Sequence, residues 1–358
     1  MKTFAISAVA LALLQFAAAQ PHGHRAHRHV ERAPVEVVVV EQNGQPISTY
    51  TQGAGAPPTP APAPATSAPP APKVQNKAAE KPAPSSGSSS SGSSGTGMTY
   101  SPYQDNGHCK LDNEVNSDVA QIKKAGYDLL RIYGTDCNQV SLVYNAAKKQ
   151  GMKMFIGMAN DNVVSGDSVN TGGIQSDCKA ISSGINNDWG IVDTVAVGNE
   201  IVNNGTASAG TVASAVKTAK GCLSGFSGPV VTADTFVAYY NNPDLCNAGD
   251  YVAANCHPFF DGNVQPNNAG GWVKEQYQHL QSTCNGKKVK ITETGWPTQG
   301  GNNGVAYPSK QNQNTVVSGL KKAFSSAPSD LIMFTAFNDM WKADNSGTNG
   351  CEKYWGML

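Results

Sequence analysis

Thr194-Val-Ala-Val-Gly-Asn-Glu200 is a short apolar run that ends in an amide and a carboxylate. An uninterrupted apolar run of this length reads as a strand buried on both faces, as in a parallel sheet. It lies between two amphipathic stretches, 174–186 before it and 207–223 after it. The same alternation extends outward in both directions. Apolar runs recur at 98–103, 128–133, 152–158, 194–197, 230–232, 251–255, 289–292 and 331–336, eight in all. Helical patterns at 115–125, 138–150, 174–186, 207–223, 271–284 and 310–324 separate them, and the fifth interval, near 241–246, is short and irregular. Eight strands alternating with helices over about 260 residues predict a (β/α)₈ TIM barrel, an α/β fold, over 98–358. An open doubly wound sheet is the alternative, but no glycine-rich fingerprint follows the first strand.

Residues ahead of the barrel have a different character. Lys2, the apolar stretch 4–16 and Ala17-Ala18-Ala19 read as an export signal, residues 1–19, too short for a membrane span. Residues 20–97 read as a disordered, O-glycosylated tail and linker. Residues 57–84 are Pro/Ala-rich and 85–97 are nearly all Ser and Gly. The apolar run 35–40 suits one strand or a sticky tail, and is too small to make a core. His22, His24, His27 and His29 admit metal binding, but no Cys or carboxylate framework surrounds them, so solvated histidines are the plainer reading.

Composition narrows the function. Lys+Arg and Asp+Glu are equal at 26 each, so neither a polyanion nor an anionic membrane is the implied partner. The eight cysteines, none before Cys109 and none in a Cys-x-x-Cys pair, suit disulfides in an oxidising compartment rather than a zinc or thioredoxin-like site. No P-loop, His-Glu-x-x-His or Gly-x-Ser-x-Gly motif occurs.

In a barrel, catalytic side chains stand at the carboxyl ends of strands. Two carboxylates fall there: Glu200, and Glu293 in Val289-Lys-Ile-Thr-Glu-Thr-Gly-Trp-Pro297. A lone glutamate is most often a solvated surface group. Two at matching positions suit acetal cleavage, where one acid protonates the leaving oxygen and one carboxylate attacks the anomeric carbon, the pair standing about 5–5.5 Å apart in retaining enzymes. Aromatic rings just past strand ends (Tyr133, Phe260, Trp296 and Trp341) suit stacking on sugar faces, Trp296 first among them. Core packing is the alternative for each.

Val197-Gly-Asn-Glu200, Ile291-Thr-Glu-Thr-Gly-Trp-Pro297 and Arg131-Ile-Tyr-Gly134 together resemble the signatures of glycoside hydrolase family 17, across roughly 98–355. The resemblance is greatest to fungal cell-wall β-glucanases and glucanosyltransferases. It implies a secreted, cell-wall, monomeric O-glycosyl hydrolase that acts on β-1,3-glucan by double displacement and requires no metal or cofactor. It further implies Glu200 as acid/base, Glu293 as nucleophile, Asn199 at the sugar 2-hydroxyl and Arg131 beside the nucleophile. Asp339, Trp341 and Lys342 resemble a substrate-contacting segment, although Asn338 and Met340 depart from the pattern. His257 stands where plant members have tyrosine, and as a substrate-site residue it brings a pH-dependent charge. Transglycosylation, exo-acting β-glucosidase action and non-catalytic glucan binding are the competing readings. A sequon at Asn204-Gly-Thr206 sits so near Glu200 that a glycan there would obstruct the cleft. The ending Tyr354-Trp-Gly-Met-Leu358 carries no glycolipid-anchor signal.

Overall fold

The computed structural model describes residues 36–42, 45–52, 95–345 and 347–358. The export signal, the tail histidines and the Pro/Ala-rich segment lie outside the described residues. Within the stretch read as a tail, Glu36–Gln42 pairs antiparallel with Gln45–Gln52, so the apolar run finds a partner strand that the sequence pattern does not announce.

The barrel strands are β1 Gly97–Thr99, β2 Leu129–Ile132, β3 Lys153–Met158, β4 Val192–Asn199, β5 Val230–Thr235, β6 Val252–Asn255, β7 Val289–Thr294 and β8 Leu331–Met333. They pair in parallel in chain order, and β8 returns to β1, so the sheet closes. Closure removes the exposed edges that an open sheet would present. The crossover helices are α1 Asp112–Lys124, α2 Gln139–Lys149, α3 Thr171–Gly184, α4 Ala209–Cys222, α5 Phe236–Asn241, α6 Ala269–Thr283 and α7 Lys310–Ala323. The short, irregular fifth interval is the six-residue α5 followed by a 3₁₀ turn. β1 and β8 are shorter than their apolar runs.

The core has two compartments. Aliphatic and aromatic side chains fill the barrel interior: Leu129, Phe155, Ala196, Val231, Ala253 and Ile332 belong to one buried cluster. The outward strand residues pack with the helices in a larger one, where α4 contributes Val212, Ala215, Val216 and Ala219 from a single face. Side-chain caps fix several helix starts: Asn170 accepts from Gly173 N, Ser208 from Thr211 N, and Ser309 from Asn312 N.

Six of the eight cysteines pair, as Cys109–Cys137, Cys178–Cys222 and Cys246–Cys284. Cys256 and Cys351 are buried and unpaired. Cys178–Cys222 clamps α3 to the end of α4 and closes a loop of sequence separation 44. Replacing Cys178 and Cys222 together by alanine should lower unfolding free energy by about 2–4 kcal/mol. The urea midpoint, compared under non-reducing conditions, measures it; an unchanged midpoint would show that the clamp carries no stability.

Candidate active site

The strand ends at the carboxyl face carry an unbroken polar network. Arg131 leaves β2 pointing into the barrel mouth and is only 1% exposed. Its Nη1 donates to Glu293 Oε1 at 2.9 Å, to Thr292 O at 2.9 Å and to Asn255 Oδ1 at 3.1 Å. Its Nη2 donates to Asn199 Oδ1 at 2.7 Å. One guanidinium thus ties together β4, β6 and β7. A fixed planar fork of donors suits this task better than an ammonium would.

Glu293 is almost wholly buried on β7. Tyr133 Oη donates to Oε1 at 2.9 Å, and His257 Nε2 lies 3.2 Å from Oε2. His257 Nδ1 is buried with no hydrogen-bond partner. A proton on Nε2 serves this geometry, donating to the carboxylate and leaving a lone pair rather than an orphaned N–H at Nδ1. Burial by itself would raise the Glu293 carboxyl. The Arg131 charge, then His257 and Tyr133, outweigh it and hold the group down at about 2. Tyr133 is itself pushed well above the ordinary phenol range, by burial and then by the Glu293 charge, so it keeps the proton it donates.

Glu200 is placed differently. It follows β4 with φ of 56°, after Gly198 with φ of 78°, so the chain turns through the left-handed region twice. Gly198 is required there: a Cβ would collide with the Ile201 side chain. The turn is held by Glu200 N donating to Ala233 O at 2.8 Å and Asn204 N donating to Glu200 O at 3.0 Å. Asn160 adds a clamp on the preceding peptide, accepting from Asn199 N and donating to Asn199 O. Holding a non-glycine residue in this region costs on the order of 1–3 kcal/mol, and the surroundings must supply it.

Asn255, on β6, joins the two carboxylates. Its Nδ2 donates to Glu200 Oε1 at 2.9 Å and to Asn199 Oδ1 at 3.0 Å, while its Oδ1 accepts from Arg131 and from Thr292 Oγ1. Both glutamates line one cavity of about 370 Å³, together with His257, Phe260, Lys342 and Trp355. That volume lies within the range of small-ligand sites. Asn204 of the sequon lines the same cavity.

Of the residues singled out from sequence, Glu200, Glu293, Asn199, His257, Phe260 and Lys342 line the cavity, and Arg131 and Tyr133 hold Glu293 from behind. Trp296 requires correction. It is 0% exposed, packed edge-on against Phe259, with Nε1 donating to Tyr307 O at 2.9 Å. The loop that returns over it leaves no face for a sugar. Asp339 and Trp341 stand outside the cavity lining: Asp339 pairs with Lys342 Nζ at 3.0 Å, and Trp341 packs on Tyr103. Burial would lower Lys342, but Asp339 and Glu352 outweigh it and keep the ammonium charged.

Three residues escape sequence reasoning. Asn255 ends the run Val252-Ala-Ala-Asn255 just as Asn199 ends its own, but a search restricted to carboxylates passes over it. Asp234 meets the carboxylate criterion and yet is fully buried, away from the cavity lining. It accepts from Val202 N, Asn203 N and Thr235 N at 2.8–3.2 Å, and so fixes the turn after Glu200. Burial, then the charge of Glu200, push Asp234 up to about 7. Trp355 reaches the cavity from beyond the last strand, inside a cluster with His257, Phe260 and Phe334.

The sign for Glu293 follows from its lowered value. Its ionisation stabilises the fold fully above the ordinary 4.5, and that contribution is lost as pH falls toward about 2. Arg131→Leu removes the main cause, so the acid limb of activity and the onset of acid unfolding should both move to higher pH. Breaking a buried pair should also cost about 3–5 kcal/mol. A pH–rate profile and an acid titration of the fold test this; unmoved acid limbs would show that Arg131 does not govern the carboxylate.

Comparison with known proteins places this geometry. The model of the BtgE/BtgC glycoside hydrolase domain matches residues 97–356. The cell surface mannoprotein MP65 of Candida albicans is 46% identical over 73% of this chain and 66% of its own length. The "probable family 17 glucosidase" SCW10 of Saccharomyces cerevisiae is likewise 46% identical, over 73% of this chain and 64% of its own length. The chain therefore spans about two thirds of the length of these curated relatives. Among solved structures, a family 17 β-1,3-glucanosyltransferase of Rhizomucor miehei matches at 26% identity with TM-score 0.61, over 74% of this chain and 92% of that one. With its closed eight-stranded barrel and its match to the domain model over residues 97–356, the chain belongs to the BtgE/BtgC family of glycoside hydrolases, within family 17.

Proposed function

We propose that the chain cleaves β-1,3-glucan with retention of configuration, Glu293 acting as nucleophile and Glu200 as acid/base. In the first step the Glu293 carboxylate attacks the anomeric carbon as Glu200 gives its proton to the glycosidic oxygen. The glycosidic bond breaks and a glycosyl ester on Glu293 forms. In the second step Glu200 takes a proton from the acceptor, whose oxygen displaces Glu293 and regenerates the carboxylate.

The observation that carries this reading is the contrast between the two carboxylates within one cavity. Glu293 is locked as an anion by Arg131, Tyr133 and His257. Glu200 sits at the cavity wall on a strained turn, with the Asn255 amide donating to its carboxylate. A permanent nucleophile beside a separately held acid is what double displacement needs.

The acceptor defines the second reading. Water gives hydrolysis, and a second sugar gives chain transfer, which the name of the Rhizomucor miehei neighbour favours. The MP65 name and the predicted export signal support action at the cell surface.

Glu293→Gln should lower turnover of a β-1,3-linked gluco-oligosaccharide about 10³-fold or more, with the thermal midpoint retained. Near-normal turnover would remove Glu293 as nucleophile. Glu200→Ala should regain turnover of an activated aryl β-glucoside when azide is added, yielding a β-glucosyl azide; an α-azide or no rescue would contradict the assigned roles. Product lengths decide the acceptor: shorter oligosaccharides mean water, longer ones mean sugar. Inertness toward every β-glucan would favour a purely binding role.

A further inference from the structure

A second concave surface lies outside the cleft. It encloses about 260 Å³, and Tyr307 and Val305 border it together with Gln265, Asn267, Asn312 and Thr315. Tyr307 is 51% exposed and Val305 36%, among the few large apolar side chains that face solvent in the described residues.

The platform is rigidly mounted. The Tyr307 carbonyl accepts from Trp296 Nε1 at 2.9 Å and from Asn312 Nδ2 at 2.8 Å, so its backbone is fixed to the segment after β7 and to the first turn of α7. The ring itself makes no aromatic contact among the described residues and is left toward solvent. Fixing the backbone beneath the ring lowers part of the entropic cost of binding through it.

The platform is also joined to the cleft. Asn303 and Ala306 close a tight turn on each other, and Val305 N donates to Gly262 O at 2.8 Å. Asn303 Nδ2 donates to Phe259 O at 2.9 Å. Gly304, with φ of 56°, lies against the Gly262 backbone where no Cβ fits. The segment so gripped, Pro258–Asp261, presents Phe260 and Asp261 to the catalytic cavity. One short turn therefore has the cleft on one side and the Tyr307 surface on the other.

The lining selects the ligand. None of its side chains is Lys, Arg, Asp or Glu. A nucleic acid or an anionic membrane would call for cations. A stable protein partner would call for an apolar area far larger than this pocket offers. Amides and a hydroxyl around a tyrosine and a valine match a neutral pyranose, with its hydroxyl edge and apolar face.

We propose that the Tyr307 platform is a surface binding site for the β-glucan chain, separate from the cleft and continuous with its Phe260–Asp261 rim. The proposal rests on the β-glucan reading above. A polymer engaged at both places is held by two linked contacts, which raises avidity without changing the chemistry of either.

Affinity electrophoresis of the full chain in gels containing laminarin, a soluble β-1,3-glucan, tests it. Glu293→Gln serves as the background, so that the polymer is not consumed. Adding Tyr307→Ala should weaken retardation about three- to tenfold, whereas Tyr307→Phe, which keeps the ring, should preserve it. Equal retardation with and without Tyr307→Ala would overturn the platform. So would absence of retardation in every variant while the unsubstituted chain still cleaves β-1,3-gluco-oligosaccharides. Absence of both retardation and cleavage would sink the β-glucan reading itself, and the platform with it.

Discussion

A guanidinium buried beside a carboxylate at the mouth of the barrel is the constraint that the rest of the site obeys. Arg131 and Glu293 are each nearly inaccessible, and neither would be tolerated there alone. Most of the remaining donors and acceptors of the pair are satisfied by the strand ends around them, Arg131 Nε being the exception. Asn199, Asn255 and the Thr292 carbonyl take the guanidinium protons, while Tyr133 and His257 complete the carboxylate. Four strands are held in register by this demand. The reactive geometry and the upper layer of the barrel core are, in this respect, the same structure.

The second glutamate answers to a different constraint. It is positioned by backbone, through a glycine that permits the turn, an asparagine that grips the preceding peptide from both sides and a buried aspartate that gathers the amides beyond. Two carboxylates of one residue type are thus given unlike surroundings, one locked to a cation and one set on a strained turn. Asn255 touches both halves.

Much of this is legible in the sequence, and the physical reason differs from part to part. Barrel strands are buried on both faces, so they stand out as continuous apolar runs, and all eight are found. A carboxylate directly after such a run is conspicuous because burial is costly without a purpose, which exposes Glu200 and Glu293. The same logic cannot tell Glu293 from Asp234, since one serves a cavity and the other a set of backbone amides. It also cannot see Asn255, which carries no charge. Trp296 is buried and Trp355 lines the cavity for a tertiary reason. Whether an aromatic past a strand meets solvent depends on which loop folds back over it. The 303–307 segment covers Trp296, while the stretch after β8 brings Trp355 to the cavity.

The disulfide pattern bears on how such a chain matures. Cys109 pairs with Cys137 and Cys178 with Cys222, so the first four cysteines join in order of synthesis. An oxidant acting on the emerging polypeptide would reach those linkages by simple succession. The fifth breaks the sequence: Cys246 must bypass Cys256 and wait for Cys284. The thiol it must ignore adjoins β6, fully buried, with its backbone N–H held by the Glu293 carbonyl. The native pairing thus skips one cysteine in chain order, and the skipped thiol is the one enclosed by the wall of the barrel.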